Sequence, residues 1–267
     1  MPSHRSSNRN RSGTREWSQM SYNTLKGCRH DCKYCYAKEM ALRFGRCKRP
    51  AYWRREKVEG NKTRLMKRMT NYVMYPTAHD IQMDHMVYHF FAMDSVLLAG
   101  NKVLIVTKPR LEVVKALCKR YWKWRRNILF RFTIGSLKSG VLKFWEPHAP
   151  SFEERFAALK HAHRRGFQTS VSSEPFLDRH VERLYRTLKP YITDTFWIGR
   201  ADRLVNCVRR NTGNDAQAMK RARRLRDTIY QNDFIRQLYS QLSGESRIKW
   251  KGQCKKILGI RRQRQAR

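Results

Sequence analysis

An α/β fold built from repeated strand–helix units is what the sequence predicts. Short β-branched or aromatic runs alternate along the body with segments of helical periodicity. The length of 267 residues suits one barrel-sized domain rather than two large ones. Hydrophobic residues make up 40% of the chain, with 12 Phe, 12 Tyr and 7 Trp, enough for a sizeable core and too many for wholesale disorder. Parallel strands joined by helices need right-handed crossovers, which give either an open doubly wound sheet or a full or partial barrel. In both, ligands gather at the carboxyl ends of the strands.

The elements follow in order. Residues 1–16, rich in Ser, Asn and Arg without periodicity, are expected to form a disordered basic arm. Strands are expected at about 20–26, 72–76, 102–107, 128–134, 167–173 and 193–198, with helices at about 36–44, 83–99, 110–124, 152–165 and 178–189. Ser151 followed by Glu154 can form a capping box for the fourth helix, and Gly100-Asn101 and Gly166 sit where helices should stop. Residues 45–70 fit neither period and read as an irregular or helical basic excursion. Residues 203–243 read as helices, followed by a basic tail with scattered Ile248, Trp250, Ile257 and Leu258. The expected organisation is an arm over 1–16, a body over 17–202, and C-terminal helices with a basic tail over 203–267.

Charge narrows the partners. The 58 Lys+Arg against 21 Asp+Glu give a formal net charge of +37. The four Arg of residues 1–16 and the nine Lys/Arg of 247–267 leave 45 basic and 20 acidic residues, a balance of +25, between 17 and 246. The basicity belongs to the folded body, and such a surface seeks polyanions, nucleic acid first among them. Cations interleave with aromatics at Arg54, Arg55, Lys57, Arg64, Lys67 and Arg68, and again over Lys119–Arg126. Such interleaving suits phosphate neutralisation with base stacking, while over 119–126 a solvated helix end with inward Tyr121 and Trp122 fits equally well. No stretch approaches ~20 consecutive apolar residues and the start lacks the apolar run of a secretion signal, so neither membrane insertion nor export is expected.

Seven cysteines, at 28, 32, 35, 47, 118, 207 and 254, are an odd count that argues against a disulfide framework. Three of them cluster in Gly27-Cys28-Arg29-His30-Asp31-Cys32-Lys33-Tyr34-Cys35-Tyr36, a C-x3-C-x2-C loop between the first strand and the first helix. Three soft anions converging in one loop point to an inorganic centre. Zinc would take a fourth ligand such as His30 or Cys47. An iron–sulfur cube usually takes four cysteines, so three would leave one iron open to a small molecule.

This loop, with Tyr34 before its third cysteine at the end of the first strand of a βα-repeat body, resembles the radical S-adenosylmethionine (SAM) superfamily. The stretch Gly27 to Ala37 most resembles its spore photoproduct lyase-like branch. Related bacterial and phage proteins are similar at Leu104–Pro109, Phe130–Gly135 and Thr169–Pro175, so that the resemblance covers roughly 20–260. It implies a partial (β/α)6 TIM-type barrel in which Cys28, Cys32 and Cys35 hold a [4Fe–4S] cluster at the strand ends. It also implies SAM as the second cofactor, a reducing electron donor as partner, and Tyr34 and Tyr36 beside the cluster in catalytic roles. Candidates for SAM contacts are Thr77 and Asp80 after the second strand, Lys108 after the third, Thr133 and Ser136 after the fourth, and Ser172 and Glu174 at the end of the fifth. Ser173 stands between the last two, and Arg200 and Asp202 are similarly placed after the sixth. Each is also readable as ordinary loop capping.

The pattern departs from photoproduct lyases in one place. Where they carry a cysteine near the end of the second strand, as hydrogen-atom donor to the repaired thymine radical, this chain reads Met74-Tyr75-Pro76-Thr77. Cys118 reads as a core residue, and Cys47 or Cys207 reaches the site only if the loops fold over it. The expected function is a radical SAM enzyme acting on DNA or RNA in a reducing, cytoplasmic setting. The alternatives are a radical SAM enzyme acting on a peptide or small metabolite, and a non-catalytic nucleic-acid-binding protein with structural zinc.

Overall fold

A computed structural model describes residues 13–18, 20–59, 68–69 and 71–260. Most of the expected basic arm, residues 1–12, lies outside them, as do Arg64 and Lys67 of the basic excursion and the last seven residues of the tail. The elements in order are β1 (Met20–Ser21), β2 (Leu25–Lys26), α1 (Tyr36–Arg43), β3 (Lys57–Val58), β4 (Val73–Tyr75), α2 (Met86–Leu98), β5 (Val103–Thr107) and α3 (Leu111–Arg120). They continue with β6 (Ile128–Thr133), α4 (Ser139–Trp145), α5 (Phe152–Arg164), β7 (Gln168–Ser173), α6 (Val181–Leu188) and β8 (Phe196–Ile198). The chain then closes with α7 (Leu204–Asn211), α8 (Ala216–Thr228), α9 (Asn232–Leu242), β9 (Ile248–Trp250) and α10 (Gly252–Leu258).

Seven strands form one wholly parallel sheet in the order β1-β4-β5-β6-β7-β8-β9. It curls into a half-barrel with the helices around it, the partial TIM-type architecture. Burial on both faces explains why the central strand β6 reads Ile-Leu-Phe-Arg-Phe-Thr with no exposed position. Ile128, Phe130 and Phe132 pack outward in the main core with the helices. Leu129 faces the interior with Met74 and Leu104. Arg131 also points inward: its Nε donates to Ser170 Oγ at 3.0 Å, and its guanidinium lies over the Trp17 and Trp197 rings at 4.8 and 5.3 Å. No helix among the described residues is long and apolar enough to cross a membrane.

Several boundaries differ from the sequence reading, each for a local reason. The strand expected over 20–26 splits, because Asn23 and Thr24 are claimed by the loop after β4: Asn23 Oδ1 accepts from Thr77 N and Ala78 N, and Thr24 N donates to His79 Nε2 at 3.1 Å. Only β1 enters the sheet, while β2 pairs antiparallel with β3 in a separate ribbon. The helix over 110–124 ends at Arg120, and Trp122–Asn127 tightens into a 3-10 turn. Gly13–Glu16, assigned by sequence to the arm, makes a 3-10 turn whose Gly13 carbonyl accepts from Lys251 Nζ at 2.6 Å. The tail contains a strand, β9, with Ile248 and Trp250 buried and paired to β8.

Phe130 is fully buried, with its ring 5.4 Å from that of Phe132 and 5.3 Å from that of Phe167. Phe130→Ala is expected to cost about 3–5 kcal/mol of stability, read as a lowered midpoint in urea unfolding followed by circular dichroism.

Candidate active site

The cysteine loop is fixed by the chain before and after it. Gly27 has φ +88°, and a Cβ there would lie 2.7 Å from the Trp53 carbonyl and 2.9 Å from that of Arg55, so glycine lets Cys28 N donate to Trp53 O at 2.9 Å. Asp31 takes a left-handed conformation and receives Lys38 Nζ at 2.5 Å. Cys35 is the N-cap of α1, its Sγ accepting from Lys38 N at 3.4 Å. From the far end of the chain, Asn211 Nδ2 donates to the carbonyls of Lys33 and Cys35 at 3.0 and 2.8 Å.

Tyr34 anchors the loop from beneath. Its hydroxyl donates to Glu146, which is paired with Arg155, and all three are buried. Arg155 also donates to Pro150 O at 2.9 Å and Thr133 O at 3.1 Å. Burial alone would raise the Glu146 carboxyl, but Arg155, with help from Lys108 and the Tyr34 hydroxyl, holds it below the usual carboxylate range. The Tyr34 hydroxyl is thus committed to positioning the loop. Tyr36 sits at the cavity mouth and its hydroxyl donates to Thr77 O at 2.6 Å.

Cys28, Cys32 and Cys35 all line one cavity of about 460 Å³. Burial raises all three thiols, Cys32 to about 12; mutual repulsion adds to this at Cys28 and Cys32, and Lys108 opposes it at Cys32 and Cys35. Such thiols ionise when a cation or metal compensates them, as a cluster does. Backbone N–H groups of His30 and Lys38 already point at the Cys28 and Cys35 sulfurs. Among the described residues no three His, Cys, Asp or Glu side chains converge as the ligands of one bare ion would.

Thr77, Asp80, Lys108, Thr133 and Glu174 line the same cavity, as do Arg200 and Asp202; Ser136 and Ser172 do not. Ser136 Oγ donates to Asp178 and accepts from Lys138 N at 2.9 Å, a loop-capping arrangement. Ser172 is fully buried and its Oγ makes no hydrogen bond among the described residues. Asp80 is saturated by the protein: Oδ1 accepts from Thr107 Oγ1 and Ile81 N, and Oδ2 accepts from Lys108 N at 2.8 Å with His30 Nδ1 3.2 Å away. Burial would raise this carboxyl, yet His30, Lys108 and Thr107 hold it well below the usual range. Asp80 therefore fixes the ends of β4 and β5 to one another.

Lys108 is the lysine of the cavity lining, which Arg15, Arg200 and Arg203 also reach. Burial would lower its pKa, but Cys32, Glu146 and Asp80 outweigh this and raise it above the ordinary lysine value. Its ammonium lies 5.8 Å from the centre of the Tyr34 ring. Cys207 brings a fourth thiol to the lining, buried and pushed up to about 11 by burial, with Glu39 adding to the rise. Cys47 packs instead beside Trp53, Ala37 and Ala41. Asn23, Glu146, Arg155, Asn211 and Lys251 are structurally central and escaped the sequence reading; all but Arg155, whose partners are Pro150, Glu146 and Thr133, act through a partner distant in the chain.

No protein-family model matches the chain, and no curated protein does. Among solved structures, spore photoproduct lyase in complex with dinucleoside spore photoproduct matches 73% of this chain at 18% identity and a TM-score of 0.52. A double mutant of that lyase with bound AdoMet and dinucleoside spore photoproduct matches 78% at 17% identity and a TM-score of 0.50. Streptococcus suis SuiB bound to the precursor peptide SuiA matches 90% at 13% identity and a TM-score of 0.50. The chain spans 61%, 60% and 50% of those structures respectively. The likeness establishes a shared fold.

Two outcomes are expected. Gly27→Ala, which drives a Cβ into two carbonyl oxygens, should lower the urea unfolding midpoint relative to wild type while leaving the far-UV circular dichroism of the folded protein unchanged. Burial, outweighing nearby Lys251, pushes Glu174 up to about 7 from 4.5. The folded state then binds this proton more tightly than the unfolded one, so the associated stability is present below pH about 4.5 and is lost as pH rises through about 7. Urea unfolding of Glu174→Gln against wild type should show the variant gaining relative stability across that window, and a constant difference between them would contradict the assignment.

Proposed function

We propose that this chain is a radical SAM enzyme that acts on a nucleic acid. The observation that carries the reading is the meeting of Cys28, Cys32, Cys35 and Lys108 on one cavity at the carboxyl ends of a parallel half-barrel. The three thiols would hold a [4Fe–4S] cluster with one iron left for SAM, and the cluster, once reduced, would supply the electron that cleaves the sulfonium of SAM into methionine and a 5′-deoxyadenosyl radical. The residues of the chain hold, orient and shield. Lys108, cationic and facing the thiols, takes the SAM carboxylate. Asp80 holds the Lys108 backbone in place, and Thr77 lies in the loop pinned by Asn23 and Tyr36. We assign Thr133 to a ribose hydroxyl, supported by its place on the cavity lining and by Arg155, which donates to its carbonyl. Glu174, titrating near neutrality, faces the cavity with Arg200. Enclosure matters because a primary radical attacks the nearest C–H bond.

Nucleic acid as substrate follows from the charge of the folded body, and the lyase neighbours hold a dinucleoside. A base within a duplex would have to be flipped out to enter a cavity of this size. A peptide is the second reading, favoured by the likeness to SuiB bound to its precursor peptide. We assign the radical chemistry to residues 17–202 with an external reductant as electron donor, and place the protein in the cytoplasm on the strength of its free thiols.

Anaerobic reconstitution with iron and sulfide should give about four irons per chain. A reduced-state EPR signal that shifts on adding SAM, and release of 5′-deoxyadenosine, are expected with it. Cys32→Ala should lose iron and cleavage together, and Lys108→Met should keep the iron while weakening SAM binding about ten- to hundredfold. One tightly held zinc with no SAM cleavage would overturn the reading.

A further inference from the structure

We propose that the outer face of α1 and the adjoining Pro50–Arg54 turn form a docking track for an unpaired nucleic-acid segment, with bases stacked on Phe44 and Tyr52 and phosphates held by the arginines between them. The inference rests on nucleic acid being the substrate class and gives that substrate a place to lie.

Tyr36, Met40 and Phe44 stand four residues apart, so α1 presents them as one stripe. They are 45%, 37% and 56% exposed. Tyr36 and Met40 line the cavity, so the stripe begins at its mouth and runs outward one turn further to Phe44. On its adjacent buried face, Ala37 and Ala41 of α1 pack against Trp53, which sets the Pro50–Arg54 turn beside the helix and leaves Tyr52 38% exposed.

The cations are arranged around these rings. Arg43 and Arg46 lie 4.6 and 5.7 Å from the centre of the Phe44 ring, and Arg55 and Arg49 lie 4.6 and 5.9 Å from that of Tyr52. None of these four, nor Arg54, makes an ion pair among the described residues. The nearby acids are occupied and buried: Glu39 faces Arg203 and Arg210, and Glu56 faces Arg29 and His85. The surface thus combines four guanidiniums that make no ion pair among the described residues with two exposed rings. A partner that relieves both costs is a polyanion with flat apolar faces spaced along it, as in single-stranded nucleic acid. An acidic peptide supplies the charge and lacks the regular stacking faces. Continuity with the cavity mouth lets a base beyond the stacked ones reach the radical site.

The test is fluorescence anisotropy of the reconstituted protein with a fluorescein-labelled single strand of about 12 nucleotides, run in DNA and RNA arms over a salt series. Phe44→Ala/Tyr52→Ala should weaken binding about thirtyfold or more with an unchanged salt slope, because stacking releases no counterions. Arg46→Gln/Arg55→Gln should weaken it and reduce the slope by about 1.4. Displacement by inorganic polyphosphate should respond to the arginine pair and not to the aromatic pair. Circular dichroism and 5′-deoxyadenosine release without substrate should match wild type in both variants. Wild-type affinity in either double variant would overturn the track while leaving the substrate class standing. Absence of oligonucleotide binding by wild type would overturn both, as would a fluorescein-labelled poly-glutamate peptide bound as tightly. Loss of 5′-deoxyadenosine release from wild type would instead strike the radical SAM reading.

Discussion

The buried Glu146–Arg155 pair is the constraint on which the site depends. It lies under the cysteine loop with no access to water, and its charges are compensated by the Tyr34 hydroxyl and by the carbonyls of Pro150 and Thr133. A buried pair with its remaining donors and acceptors satisfied can offset its desolvation, whereas one left with a single partner cannot. The network therefore fixes three parts of the molecule at once: the loop through Tyr34, α5 through Arg155, and the end of β6 through Thr133. The cavity wall between the thiols and the Thr133 strand end has its dimensions set by this one network.

Charge is distributed in two shells. Inside, Lys108 stands between Cys32, Glu146 and Asp80, and that surplus of potential anions keeps an otherwise costly buried ammonium charged. Outside, the acids near the mouth are turned inward, with Glu39 and Glu56 used by other residues, so the arginines of the Arg43–Arg55 stretch face solvent alone. A field of one sign at the mouth of a low-dielectric cavity concentrates anionic ligands there. The inner cation is held in place by the acids around it, where the outer ones only gather charge.

What could be read in advance was local. The C-x3-C-x2-C spacing lies within eight residues, and the strand ends follow from period and breaker signals, so the cysteines, Thr77, Lys108, Thr133 and Glu174 could all be placed on one rim. The partners that hold them come from elsewhere in the chain: Glu146 is 112 residues from Tyr34, and Asn211 is 178 from Lys33. No periodicity reports such pairings. Asp80 and Ser136 illustrate the complementary difficulty, because a polar residue after a strand reads alike whether its oxygens face a ligand or are filled by Thr107, Lys108, Asp178 and their neighbours. The strand β9 escaped because three residues inside a basic tail give no alternation above the charge.

That strand has a consequence for the site. The sheet is open, with β1 at one edge and β9 at the other, and no ladder among the described residues joins them. They are bridged by side chains instead: Lys251, one residue past β9, donates to the Gly13 carbonyl and lies 3.4 Å from Glu16, while Gly252 N donates to Glu16 Oε1 at 3.2 Å. Lys251 also covers the Trp17 ring at 4.2 Å and lies 3.5 Å from Glu174 on the cavity wall. The seam that closes the half-barrel is therefore polar and shared with the cavity. A hydrogen-bonded strand pair there would be indifferent to what the cavity contains. A seam resting on Lys251 between Glu16 and Glu174 couples the joining of the two edges to the charge state of a residue facing the cavity.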